Sequence, residues 1–217
     1  MCSENGREVC AMAHHGRKNL FMSDTYYTIQ EDGEGQLREK LSRFIAYAHH
    51  VDSEEEARAF VQSLRNRYHD ARHVCWAFAT RDGRRLAQDD GEPSGTAGRP
   101  ILGQIDSLGL TDVVVGVVRY FGGIKLGPSG LIAAYRESAR LALQSVPTVE
   151  CHSRCRFVFT FPYLAMNDVM KVVKSEDCTV VEQLFDNSCS MTVEIREDNA
   201  ERLRGRLDAV SGLTFAE

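Results

Sequence analysis

Two short stretches hold the residues best suited to chemistry. In residues 112–131, Arg119 and Lys125 flank a turn containing Gly122, Gly123, Gly127 and Gly130, with Tyr120 and Phe121 beside it. Cations next to glycines that expose backbone N–H groups, followed by a helix start, form an arrangement able to hold an anion. The same glycines would equally serve a tight connection in which only sterics matter. In residues 89–100, Asp89, Asp90 and Glu92 stand with Ser94, Thr96 and Arg99 among three glycines and two prolines. No regular element accommodates that mixture, and it suits a shaped binding loop. His73, preceded by Arg72, reads equally as a general base, a phosphate contact or a satisfied core histidine. Asp89, Asp90 and Glu92 with His73 would suit a small-molecule hydrolase that binds a divalent metal through oxygen. Acids in such a loop also cap helices or pair with arginines such as Arg99 and Arg119.

Known cofactor loops are excluded by order. The lysine of the first stretch precedes its glycine, so the Walker pattern fails, and Gly122-Gly123-Ile124-Lys125-Leu126-Gly127 lacks the glycine order of dinucleotide folds. No cofactor is expected. Cys151 and Cys155 lack a second ligand pair at zinc spacing, and no metal site is expected. His-Glu-x-x-His is absent, and no Ser–His–Asp or Cys–His grouping can be placed by spacing.

The elements that must position these residues follow from periodicity. Val113 to Val118 form a β-branched run, expected to be a strand buried on both faces. Pro128 leads into a helix over 131–143. Ile101, Leu102, Ile105 and Leu108 share one helix face that ends at Gly109. Upstream, 26–30, 37–47 and 73–80 read as strands, with a short return at 85–88. Ser53 and Glu56 form a capping box for a helix whose apolar face is Ala57, Phe60, Val61 and Leu64. After Pro147, strand 154–161 carries Phe157, Phe159 and Phe161 on one face. Helices at 163–175 and 199–210, a hairpin of 179–185 with 189–195, and a strand at 213–216 complete the order βαββαβ. The expected fold class is α+β, with an α/β domain at 22–147 and a ferredoxin-like domain at 151–217.

The two motif stretches together resemble the signature of the YigZ/IMPACT family. Asp-Asp-Gly-Glu-Pro-Ser-Gly-Thr-Ala-Gly-Arg-Pro-Ile-Leu, then Val-Val-Arg-Tyr-Phe-Gly-Gly-Ile-Lys-Leu-Gly, carry the resemblance, with Ala71 to Ala77 and Ser42 to Ile45 upstream. One departure is visible: Gly127-Pro128-Ser129-Gly130 replaces the family's usual glycine pair. The resemblance implies a first domain like the second domain of a small-subunit ribosomal protein. It implies a second like a ferredoxin-like domain of elongation factor G. Eukaryotic IMPACT relatives restrain a starvation-responsive kinase of translation initiation by protein binding. The resemblance thus implies a translation-associated regulatory or binding protein whose partner is RNA, the ribosome or a translation protein, rather than an enzyme. Its motif face would comprise Arg72, His73, Asp89, Asp90, Glu92, Ser94, Thr96, Arg99, Arg119, Tyr120, Gly122, Gly123, Lys125 and Gly127.

Composition narrows the partners. Positions 1–150 hold 18 basic and 20 acidic residues, net −2, and positions 151–217 hold 8 and 11, net −3. Neither half is a basic domain, so DNA coating is not expected and any RNA contact must be a local patch. No apolar run approaches the ~20 residues that span a membrane. The seven scattered cysteines suit reduced thiols in a cytoplasmic protein. Residues 1–21, polar and aperiodic, are expected to be a disordered extension or to precede the true start at Met22.

Overall fold

The structure, a computed structural model, describes residues 25–186 and 188–216. The extension expected at 1–21 lies outside the described residues. Two compact units divide the chain after Cys151.

In the first unit five antiparallel strands pair in the order β2-β3-β6-β4-β5. Their ranges are β2 Gly33–Glu39, β3 Ser42–His50, β4 His73–Ala79, β5 Arg85–Gln88 and β6 Val113–Tyr120. Helix α1 (Glu54–Arg67) covers one face, and α2 (Gly98–Ser107) with α3 (Gly127–Gln144) covers the other. Alternate side chains of β6 therefore enter opposite cores. Val114 and Val118 pack with Ala57, Val61 and Leu64 of α1, while Val113, Val115 and Val117 pack with Ile101, Ile105, Leu131 and Tyr135. That two-sided burial is why the strand reads as continuous valines, each contributing about 1.5–3 kcal/mol. Gly116 interrupts the run because a Cβ there would lie 2.5 Å from Leu64 Cδ1. Helix α1 starts as expected: Ser53 Oγ accepts from the Glu56 N–H at 3.2 Å. The Glu56 carboxylate accepts instead from Asp52 N–H, at 2.8 Å.

Two local expectations need correction. Residues 37–47 are not one strand but the ends of β2 and β3, joined by Lys40 and Leu41 with φ of 44° and 69°. A two-residue hairpin of this twist needs positive φ at both central positions, usually announced by Asn-Gly; Lys-Leu conceals it. Residues after Pro147 also form a strand, β7 (Thr148–His152), paired with β1 (Thr25–Ile29).

The second unit contains β8 Arg154–Pro162, α4 Met166–Ser175, β9 Thr179–Leu184, β10 Ser188–Arg196, α5 Ala200–Asp208 and β11 Thr214–Phe215. Its sheet order is β11-β8-β10-β9, and its element order is βαββαβ. Phe157, Phe159 and Phe161 enter one core with Val169, Val173, Leu203 and Leu207, as their alternation requires. Among the described residues no helix is long and apolar enough to cross a membrane. Among the described residues Cys75, Cys178 and Cys189 are free thiols.

The turn after β6 lies hard against the β2–β3 hairpin. A Cβ on Gly122 would sit 2.0 Å from the Leu41 carbonyl carbon and 2.4 Å from Ser42 N. Because both sides of that contact are backbone, Gly122→Ala is expected to destabilise the protein by about 1–3 kcal/mol in urea unfolding. An unchanged midpoint would contradict the close approach.

Candidate functional site

The register of three strands gathers both motif stretches at one end of the five-stranded sheet. Arg43 at the start of β3 lies opposite Tyr120 at the end of β6. Arg119 lies between Phe44 of β3 and His73 of β4. The hairpin tip at Lys40–Leu41, the turn after Tyr120 and the loop after β5 all emerge beside them.

Beneath this end runs a buried polar network. The Arg119 and Glu92 side chains are 7% and 4% exposed and form an ion pair, Nη1 to Oε1, at 2.5 Å. Glu92 Oε1 also accepts from the Tyr135 hydroxyl at 2.8 Å. The Arg119 guanidinium sits 5.5 Å from the Phe44 ring centroid and 5.7 Å from that of Phe121. Cys75 Sγ lies 3.3 Å from the Tyr135 hydroxyl and 2.9 Å from the Asp89 carbonyl oxygen. Burial, with Cys75 and Glu92 alongside, pushes the Tyr135 phenol far above its ordinary value. Burial likewise raises the Cys75 thiol, with the neighbouring acids adding to it. Cys75 is therefore a protonated packing group near neutral pH, not a nucleophile.

The loop acids each answer a different donor. Asp89 accepts from the backbone N–H groups of Gly95 at 2.7 Å, Ala97 at 3.0 Å and Gly98 at 2.8 Å. It thereby caps α2, whose N-cap residue Ala97 has no side chain to do so. Burial works against the Asp89 carboxylate, but the three N–H groups and Arg99 outweigh it and hold its pKa below the ordinary range. Asp90 accepts from Arg65 at 2.9 Å and from Val74 N–H at 2.7 Å. Its own carbonyl lies 2.7 Å from His73 Nδ1 and accepts from it. The carboxylates of Asp89, Asp90 and Glu92 thus point to separate partners. Among the described residues no group of three His, Cys, Asp or Glu side chains could hold a metal ion.

Of the other expected residues, Thr96 is buried and donates to the Pro93 carbonyl at 2.6 Å. Ser94, Arg72, Arg99 and Lys125 are exposed. Tyr120 donates to Asp70 at 2.7 Å, and burial together with that carboxylate pushes its phenol up to about 12. Gly123 and Gly127 take φ of 87° and 73°, as a glycine turn requires, whereas Gly122 is needed for its close approach. Arg119 is the cation that differs most from a surface contact, because Glu92 neutralises it below the surface. The exposed cations at this end are Lys40, Arg43, Arg72 and Lys125. Exposed apolar side chains of the hairpin tip and of the turn after β6 are Leu41 at 76%, Phe121 at 52% and Ile124 at 49%. Leu41, Arg43 and Ile124 are absent from the sequence-based site: Arg43 and Ile124 stand within motif stretches but carry no chemical signal of their own, and Leu41 is brought against the turn at Gly122 only by the fold.

This arrangement has relatives. An "IMPACT family member" of Haemophilus influenzae is 33% identical over 172 residues, covering 77% of this chain and 84% of its own length. The chain belongs to the IMPACT family. "IMPACT family member YvyE" of Bacillus subtilis is 41% identical over 131 residues, 59% of this chain and 60% of that protein. "IMPACT family member YigZ" of Escherichia coli is 46% identical over 113 residues, 50% of this chain and 55% of that protein. The chain thus aligns with less than two thirds of the length of these two relatives. The Impact N-terminal domain family model matches residues 40–143, which contain every residue of the sheet end described above. A solved structure, "Crystal structure of an hypothetical protein", superposes with a TM-score of 0.67 at 28% identity, covering 89% of this chain and 97% of that one. The fold is therefore shared over nearly the whole described chain.

Asp89 yields a pH signature. Its folded pKa is depressed, so its contribution to stability is fully present above the ordinary carboxylate value of about 3.9 and is lost as pH falls below it. Asp89→Ala is expected to lower stability at pH 7 by about 1–3 kcal/mol. Urea unfolding should show that deficit shrinking as pH drops below about 4. A deficit unchanged with pH would contradict the capping role.

Proposed function

We propose that this chain is a non-catalytic binding protein of translation that holds RNA at the end of its five-stranded sheet. The feature that carries the reading is the half-exposed ring of Phe121 over the buried Arg119 guanidinium, in the same turn as the exposed side chains of Ile124 and Lys125. An aromatic face among cations suits a single strand, whose bases stack and whose phosphates attract positive charge. The exposed patch is small, in keeping with a chain of net charge −5 that must bind locally rather than coat nucleic acid.

The translation context comes from kinship. A Saccharomyces cerevisiae relative named "Protein IMPACT homolog" is 34% identical over 97 residues, 42% of this chain and 38% of that protein. The family resemblance implies translational control for the eukaryotic members. The geometry favours binding over hydrolysis, because Asp89, Asp90 and Glu92 are each held by protein donors and the His73 ring is oriented by a backbone carbonyl.

Fluorescence polarisation with a labelled single-stranded RNA at low salt tests this. Phe121→Ala is expected to weaken binding by about 1–3 kcal/mol, roughly 5- to 150-fold, at an unchanged melting temperature. Failure of the wild type to bind RNA, or full affinity in the variant, would overturn the reading.

A further inference from the structure

A second feature of the first unit adjoins the loop after β5, whose Gly95 lines it. Helices α2 and α3 border an open groove of about 310 Å³. Each helix contributes an arginine to its lining, Arg99 from α2 and Arg136 from α3. Gly95, Gly103 and Pro100 leave much of the lining without side-chain bulk, and Ile132 supplies an apolar surface. A Cβ on Gly103 would meet nothing within 4 Å, so the groove is open there.

The acids on the two helices are paired elsewhere, so Arg136 has no ion-pair partner on them and Arg99 has only its longer-range attraction to Asp89. The acids of α2 and α3 are Asp106 and Glu137; the first pairs with Arg85 and the second with Arg140 at 2.5 Å. Asp89, which feels the Arg99 charge, is held first by three backbone N–H groups. Among the described residues neither Arg99 nor Arg136 is ion-paired. Two guanidinium groups from opposite helices can grip one phosphate through planar, bidentate hydrogen bonds, which lysines cannot match. The apolar and glycine lining then suits the flat, weakly polar body attached to that phosphate. The volume is at the lower end for a small-molecule site, about 300–1,000 Å³.

We infer that the α2–α3 groove binds a nucleoside phosphate, either free or as one unit of an RNA strand, with Arg99 and Arg136 as its phosphate contacts. The free-nucleotide form stands independently of the RNA reading above; the strand form rests on it and extends the bound strand from the Phe121 end into the groove.

Equilibrium dialysis of the full chain at low salt tests the inference, with three probes: AMP, inorganic phosphate and a single-stranded RNA octamer. Arg136→Gln is expected to weaken binding about 10- to 100-fold, the scale of a lost charge-assisted bond to phosphate. Gly103→Leu is expected to block the groove while improving local helix propensity, so it should fold. Melting curves verify that both variants do. AMP binding as tight as the octamer identifies a free nucleotide as occupant; octamer binding alone identifies a strand. Binding of phosphate alone as tightly as AMP would overturn the nucleoside assignment. No saturable binding of any probe, or equal binding by wild type and both variants, would overturn the inference. If Phe121→Ala weakens the octamer and Arg136→Gln does not, the groove assignment fails while the RNA reading stands.

Discussion

The ion pair between Arg119 and Glu92 ties the loop after β5 to the end of strand β6. Both side chains are more than nine-tenths buried, so each charge is costly there without the other. The Tyr135 hydroxyl supplies Glu92 with a second donor, and the rings of Phe44 and Phe121 cover the guanidinium. Such cation–ring contacts are favourable where water is excluded. Removing either charge would leave the other buried and uncompensated, at about 3–5 kcal/mol. The pair therefore fixes the 89–97 loop to the end of β6 and, through its contact with Phe121, orients the ring that reaches solvent.

The rest of the sheet end is organised around that anchor. Asp89, three residues before Glu92, caps α2 and so sets where Arg99 emerges along that helix. Gly122 lets the turn after Tyr120, which carries Phe121 and Ile124, lie on the backbone of the β2–β3 hairpin at Leu41 and Ser42. The chemistry divides by depth: neutralised ions and raised thiol and phenol pKa values below, exposed cations and apolar side chains above. The buried network is satisfied except at Arg119 Nε, which has no hydrogen-bond partner, and it lies beneath an exposed basic and aromatic surface.

Much of this was legible in the amino-acid order. The valine run of β6 announced a central strand because both faces are covered, and Phe157, Phe159 and Phe161 announced one face of β8 because theirs are not. Ser53 and Glu56 marked the start of α1 by local hydrogen bonding alone. The motif residues were recognisable as a set, and capping or pairing was among the roles open to the loop acids. What could not be read was which acid meets which arginine, since register across β3, β6 and β4 decides it. The Lys40–Leu41 turn was hidden because its residues lack the usual glycine or asparagine. Arg136 was invisible for another reason: its meaning depends on α3 lying beside α2, which no local pattern encodes.

Under the proposed function, Arg119 positions the surface from inside, its charge answered by Glu92, while the exposed Lys125 would meet phosphate from outside. Salt dependence of RNA affinity separates the two roles most directly. Each phosphate contact with a single strand contributes about 0.7 to the slope of log affinity against log salt. Lys125→Ala should reduce that slope by about one such contact. The double variant Glu92→Leu/Arg119→Met, which replaces the buried pair by apolar side chains, should leave it unchanged. A slope reduced equally by the double variant would contradict the account, because it would mean that the Arg119 charge reaches the RNA itself.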